Sequence, residues 1–211
     1  MHRKNIVTTG KKIEETGRAL IMIHGRGSSA ENILSLATHL NVNDYTLIAP
    51  RATNNTWYPY SFLETPSRNE PWLSSALAIL GEIVNDLTKV ISKKNIYFLG
   101  FSQGACLVLE FVARNAAKYG GCVAFTGGLI GDKIYTENYE GDFQNTPVFI
   151  GTSNPDPHVP VERVYETVLI LKSMNASVTE KIYENIGHTI IQDEFDCANE
   201  LILKEKNDIS I

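Results

Sequence analysis

The chain has 211 residues, enough for one substantial domain (1–211) with a continuous core, and its 43% hydrophobic and 20% charged residues are ordinary for a soluble globular protein. Its formal net charge of −5 argues against nucleic acid or an anionic membrane as the main partner, since either favours a basic face. The three cysteines, Cys106, Cys122 and Cys197, are odd in number and irregularly spaced, so they do not form a disulfide framework.

The N-terminal Met1–Lys4 is basic, but no apolar run of signal-peptide length follows it. No uncharged stretch is long enough to span a bilayer, so the expectation is a cytoplasmic protein without stable membrane insertion. Asn5 to Thr9 suits a short edge strand, and the polar Gly10 to Gly17 reads as a loop. Ala19 to Ile23 is apolar and too short for a helix, which predicts a buried strand running into His24-Gly25-Arg26-Gly27. Ser28 or Ser29 caps the next helix, whose apolar face carries Ile33, Leu34, Leu36, Ala37 and Leu40. Tyr45 to Ala49 is a strand stopped by Pro50.

Arg51 to Pro71 has no periodicity, yet it holds Trp57, Tyr58, Tyr60 and Phe62, which argues for an ordered functional loop rather than disorder. Pro71 opens a long helix with Leu73, Leu77, Leu80, Val84, Leu87 and Ile91 at three- and four-residue steps. An apolar strand from Ile96 then climbs to Gly100-Phe101-Ser102-Gln103-Gly104. A helix follows at once and ends near Gly120-Gly121. Cys122 to Phe125 is a buried strand, and Gly127 to Thr146 is irregular. Pro147 to Gly151 is a strand, Thr152 to Pro160 a proline-rich loop, Val161 to Met174 a helix and Ser177 to Tyr183 a strand. His188 follows a glycine before a last helix from about Ile190 to Leu203. Short apolar strands alternating with amphipathic helices imply a mostly parallel sheet with helices on both faces. Such sheets place ligands beyond the carboxyl ends of their strands.

The loops after strands carry the candidate chemistry. Gly-x-Ser-x-Gly between a strand and a helix is the layout of a nucleophile elbow, in which a sharp turn presents Ser102 and Gly100 and Gly104 allow close strand–helix packing. A serine hydroxyl needs a base, most often histidine, and the base needs an acid that fixes its tautomer. The chain has five histidines. On such a sheet the order along the chain is nucleophile, acid, histidine, which Ser102, Asp156 and His188 satisfy, each after its own strand. His158 as base leaves no strand between base and acid, and Asp132 is the competing acid. The oxyanion of an acyl-transfer intermediate needs backbone N–H donors. The residue after the nucleophile, Gln103, supplies one, and Arg26 in the glycine-rich loop after an earlier strand is best placed for the other. No phosphate-binding loop and no His/Cys cluster with zinc spacing is present, so no metal and no cofactor is expected.

From about Ala19 to about Glu194 the chain resembles the phospholipase/carboxylesterase family of small α/β-hydrolases, which includes acyl-protein thioesterases and bacterial carboxylesterases. The likeness rests on Leu20-Ile21-Met22-Ile23-His24-Gly25, Gly100-Phe101-Ser102-Gln103-Gly104-Ala105, Asp156-Pro157-His158-Val159-Pro160 and Gly187-His188-Thr189. It implies an α/β-hydrolase fold, Ser102, Asp156 and His188 as a triad, and the Arg26 and Gln103 amides as the oxyanion hole. Trp57-Tyr58 matches a family tryptophan that borders the acyl site, with different flanking residues. Arg26 stands where thioesterase members commonly have leucine, and the short N-terminal part implies a reduced antiparallel edge.

The expected function is a serine hydrolase that cleaves short-to-medium acyl esters or thioesters of small-molecule substrates, with Trp57 and Tyr58 as substrate-binding residues and no cap domain. The alternatives are a lysophospholipase-type lipid esterase and a non-catalytic binding protein on the same fold. The aromatic loop also offers a surface for a homodimer.

Overall fold

The structure, a computed structural model, describes residues 1–204. Its strands are β1 (Ile6–Gly10), β2 (Ala19–Ile23), β3 (Thr46–Pro50), β4 (Ile96–Phe101), β5 (Gly121–Phe125), β6 (Pro147–Asn154) and β7 (Ser177–Glu184). They form one seven-stranded sheet in the order β1-β3-β2-β4-β5-β6-β7. β1 runs antiparallel to β3, and every other neighbouring pair is parallel. The helices are α1 (Ile13–Thr16), α2 (Ala30–Ser35), α3 (Pro66–Asn69), α4 (Trp72–Leu87), α5 (Gln103–Arg114), α6 (Val161–Ser173) and α7 (Gln192–Leu201).

Successive strand residues face opposite sides of the sheet, so a strand that is apolar throughout needs a cover on each face. β2 is buried along its whole length. Ala19, Ile21 and Ile23 join a core with Leu80 of α4, Phe111 of α5 and Val164 of α6. Leu20 and Met22 face the other way, into a second core with Ile33 of α2 and Phe195 of α7. Both faces are thus covered, as the strand–helix alternation implies. Among the described residues no helix is long and apolar enough to cross a membrane.

Several element ends differ from the sequence expectation, each for a local reason. The 10–17 stretch is not all loop: β1 includes Gly10, and α1 makes one turn, closed by Gly17 at φ 60° with its N–H on the Ile13 carbonyl at 2.8 Å. α2 is capped by Ser29, whose side chain accepts from the Asn32 N–H at 3.2 Å, and tightens into a 3-10 turn over Leu36–His39. α4 ends at Leu87, not Ile91. The amides of Val90 and Ile91 both fold back on the Leu87 carbonyl, so the apolar phase continues through a turn. α5 stops at Arg114 because the next residues belong to the sheet side: Ala116 bridges Gly141, and the Gly120 N–H donates to the Ile96 carbonyl at 2.9 Å. β6 continues beyond Gly151 because Thr152, Ser153 and Asn154 pair with Ile182, Tyr183 and Glu184 of β7.

Candidate active site

The chain leaves β2 for β3 on one side and returns past β2 to β4 on the other. Strand order therefore reverses between β2 and β4, where open parallel sheets leave a crevice at their carboxyl ends. A cleft of about 810 Å³ lies there, and loops after β2, β3, β4, β6 and β7 contribute Arg26, Tyr58, Ser102, Asp156 and His188 to its wall.

Ser102 sits at φ 55°, ψ −120°, a conformation that a residue with a Cβ rarely adopts. Two hydrogen bonds and two close backbone approaches accompany it. Its N–H donates to the Phe125 carbonyl at 2.9 Å, and its carbonyl accepts from the Cys106 N–H at 3.0 Å. A Cβ on Gly104 would run into the carbonyls of Ile23 and His24, and one on Gly100 into the Gly104 carbonyl. The two glycines let α5 start directly against β2 and β4.

His188 reaches across this turn. Its Nε2 lies 2.8 Å from Ser102 Oγ and its Nδ1 lies 2.9 Å from Asp156 Oδ2. The carboxylate accepts at Nδ1, so the proton resides there and Nε2 is left to accept from the serine hydroxyl. The Asp156 side chain is 0% exposed, and its other oxygen accepts from the N–H groups of His158 at 2.8 Å and Val159 at 2.9 Å. The loop that carries His188 is tied to β6: Gly187, at φ 73°, donates its N–H to Ser153 Oγ at 3.1 Å. His158 packs edge-on against the His188 ring with centroids 4.7 Å apart, and it is His188 that meets Ser102. Asp132, the competing acid, accepts instead from the Tyr135 hydroxyl at 2.7 Å.

Arg26 and Gln103 both line the cleft beside Ser102. Gln103 opens α5, so its N–H has no partner within the helix. Among the described residues neither this amide nor that of Arg26 donates to a protein acceptor.

The side chains of these two residues do something the sequence did not signal. Gln103 is buried; its Oε1 accepts from the Trp57 N–H at 3.0 Å and its Nε2 donates to the Tyr58 carbonyl at 2.8 Å. The Arg26 guanidinium donates to the carbonyls of Pro59 at 2.8 Å and Tyr60 at 2.6 Å. Together they latch the aromatic loop onto the elbow and onto the loop after β2.

Trp57 and Tyr58, expected together at the substrate site, part company. Tyr58 lines the cleft, as do Tyr60, Phe62 and Leu63. Trp57 lies behind it, fully buried, because its indole N–H donates to the His24 carbonyl at 2.9 Å and its ring packs on His24 and His2. His24 and His2 are structural. The ring of His24 donates from Nδ1 to the Gly25 carbonyl and accepts at Nε2 from the Ala52 N–H. That of His2 donates to the Trp57 carbonyl and accepts from the Thr53 N–H. Burial holds both imidazoles below their ordinary pKa. Cys106 also reaches the cleft, and burial pushes its thiol up to about 12, so it is a neutral, apolar surface there.

The model of the family described as phospholipase/carboxylesterase matches residues 4–205. A crystal structure of a phospholipase/carboxylesterase from Dyadobacter fermentans DSM 18053 is 52% identical, covers 96% of this chain and 98% of that one, and superposes with a TM-score of 0.95. Acyl-protein thioesterase 1 of Saccharomyces cerevisiae is 25% identical over 229 residues, which span 95% of this chain and 98% of that protein. The Bacillus cereus carboxylesterase structure, 20% identical with a TM-score of 0.76 over 93% of this chain and 92% of its own, shares the fold.

Proposed function

The chain belongs to the phospholipase/carboxylesterase family, whose members are ester and thioester hydrolases, and we propose that it hydrolyses short-to-medium acyl esters or thioesters through Ser102, His188 and Asp156. The observation that carries this reading is the hydrogen-bonded line Ser102 Oγ, His188 Nε2, His188 Nδ1, Asp156 Oδ2, with steps of 2.8 and 2.9 Å.

Ser102 Oγ attacks the acyl carbon while its proton passes to His188 Nε2. The carbonyl electrons move onto oxygen, and the amides of Arg26 and Gln103 receive the resulting oxyanion. Such a donor is worth about 2.7–4 kcal/mol of barrier where one has been removed. Collapse breaks the bond to the alcohol or thiol, which leaves with the proton held on Nε2. Water then gives a proton to Nε2 and attacks the acyl-serine. The second collapse releases the acid and returns the proton to Ser102 Oγ, so the net change is one water added across the ester. Asp156 keeps its charge throughout and stabilises the imidazolium that forms twice per cycle.

Hydrolysis of p-nitrophenyl butyrate by Ser102→Ala tests the mechanism. A fall of roughly 10³-fold or more is expected, and activity close to wild type overturns it. Stoichiometric labelling of the wild type at Ser102 by a fluorophosphonate is also expected. Absence of labelling favours a non-catalytic binding protein on this fold.

A further inference from the structure

The cleft holds a positive charge that the hydrolytic steps above do not use. Arg26 and Asp156 are the formally charged residues in its wall among the described residues. The Asp156 carboxylate is fully engaged: one oxygen faces His188 and the other accepts two backbone N–H groups. Arg26 is different. Its guanidinium has no carboxylate partner among the described residues, and the groups that hold it, the carbonyls of Pro59 and Tyr60, are neutral. A guanidinium carries five N–H donors in a rigid fork. Two are engaged by those carbonyls, so three remain, on a cation already fixed in place with its carbon 5.9 Å from the Tyr58 ring centroid. A side chain ordered in advance loses little freedom when it binds an anion.

The position of the charge says where that anion belongs. Arg26 also supplies a proposed oxyanion amide, so its side chain starts from a residue that this reading sets beside the scissile carbonyl. It points to Pro59 and Tyr60, on the loop whose Tyr58, Phe62 and Leu63 wall the cleft. We propose that the preferred acyl group carries a carboxylate, so that the substrates are half-esters or half-thioesters of short dicarboxylic acids and Arg26 is the residue that selects them. This rests on the hydrolase reading and names its substrate class. Water adds across the ester bond, giving the free diacid and the alcohol or thiol.

The test compares monoethyl glutarate with diethyl glutarate, which differ by the charge, and follows proton release in a pH-stat. The readout is the ratio of kcat/KM per ester bond for the half-ester to that for the diester, which carries two such bonds, so a general loss of activity cancels. A charge-assisted hydrogen bond predicts a wild-type ratio of about 10 or more. The ratio drops towards about 1 in Arg26→Met and is partly kept in Arg26→Lys. In the wild type it also falls as added salt screens the exposed guanidinium, a readout that needs no variant.

A wild-type ratio of 1 or below, no cleavage of the half-ester, or an undiminished ratio in Arg26→Met overturns the proposal. So does a preference seen only with O-butyrylglycolate over its ethyl ester, which puts the carboxylate on the leaving group. Failure of the underlying reading looks different: Ser102→Ala then hydrolyses both glutarates at the wild-type rate. If Ser102→Ala is inactive and the wild-type ratio is 1 or below, the assignment of Arg26 alone has failed.

Discussion

A serine hydroxyl is a weak nucleophile at neutral pH, so Ser102 is as reactive as the base that faces it, and that base is as good as its tautomer. Here the tautomer depends on one oxygen, Asp156 Oδ2, 2.9 Å from His188 Nδ1. In Asp156→Asn the amide N–H2 can present itself to Nδ1, which turns Nδ1 into an acceptor and moves the ring proton to Nε2. That nitrogen then has no lone pair for the Ser102 proton. A loss in kcat on the order of 10⁴-fold is expected, with a much smaller change in KM, by steady-state kinetics at neutral pH. A loss below about tenfold removes Asp156 from the mechanism proposed here. The convergence of Ser102, His188 and Asp156 on one cleft was legible because chemistry restricts their types and each follows its own strand. The side chains of Gln103 and His2 were not. Their partners are backbone groups of Trp57, Tyr58 and Thr53, between 45 and 55 residues away, and any residue there offers the same carbonyl and N–H.

The 51–71 stretch shows how an element without regular structure is held. A 3-10 turn at Thr53–Asn55 and helix α3 occupy its ends, and the aromatic middle depends on side chains from outside. Gln103 holds two of its backbone groups, Arg26 two more, and Trp57 is pinned by His24 and His2. Gln103→Ala leaves the Trp57 N–H and the Tyr58 carbonyl buried without these partners. Net loss of about 2–4 kcal/mol is expected, read as a lower urea midpoint at unchanged m-value. An unchanged midpoint means that water or a neighbour replaces the latch. At this scale the presence and type of the strands and main helices could be read from periodicity and length. Their ends could not, because α5 yields to a bridge with Gly141 and β6 gains three pairs from β7, and both partners come from elsewhere in the chain. Trp57 was misplaced for the same reason. An aromatic residue in a loop reads as a binding surface until the hydrogen bond to the His24 carbonyl shows that it is core.

Across the whole molecule, the parallel sheet was legible from the alternation of elements, but its strand order was not, since that order depends on contacts between distant segments. The order matters because it opens the cleft between β2 and β4, and because β6 carries the Asp156 loop at its end while α7 covers its flank. Glu194 of α7 is buried against Gly151 of β6, with Oε2 accepting the Ile191 N–H at 2.9 Å and Oε1 without a hydrogen-bond partner among the described residues. Burial pushes its carboxyl up to about 7, against the opposing effect of the Ile191 N–H, and Asp193 adds in the same direction as burial. In the unfolded chain the group titrates near the ordinary glutamate value of 4.5. Between those values the folded state holds a proton that the unfolded state has lost, so stability falls as pH rises through the window, by about 3 kcal/mol in all. The buried His2 and His24 act with the opposite sign. Their lowered pKa values make the unfolded state the better proton binder below 6.5, so their contribution grows as pH rises towards that value. The two effects overlap, and a wild-type melting curve alone does not separate them. Glu194→Gln does, because the amide oxygen can still accept from Ile191 while the titration is gone. The melting temperature of this variant minus that of the wild type is expected to climb between about pH 4.5 and about pH 7, by roughly 6–12 °C for a domain of this size, and to level off above. The histidine contribution is common to both proteins and cancels. A difference that stays constant across the window means that Glu194 ionises as freely in the folded protein as in the unfolded chain, and that α7 admits water to the flank of β6.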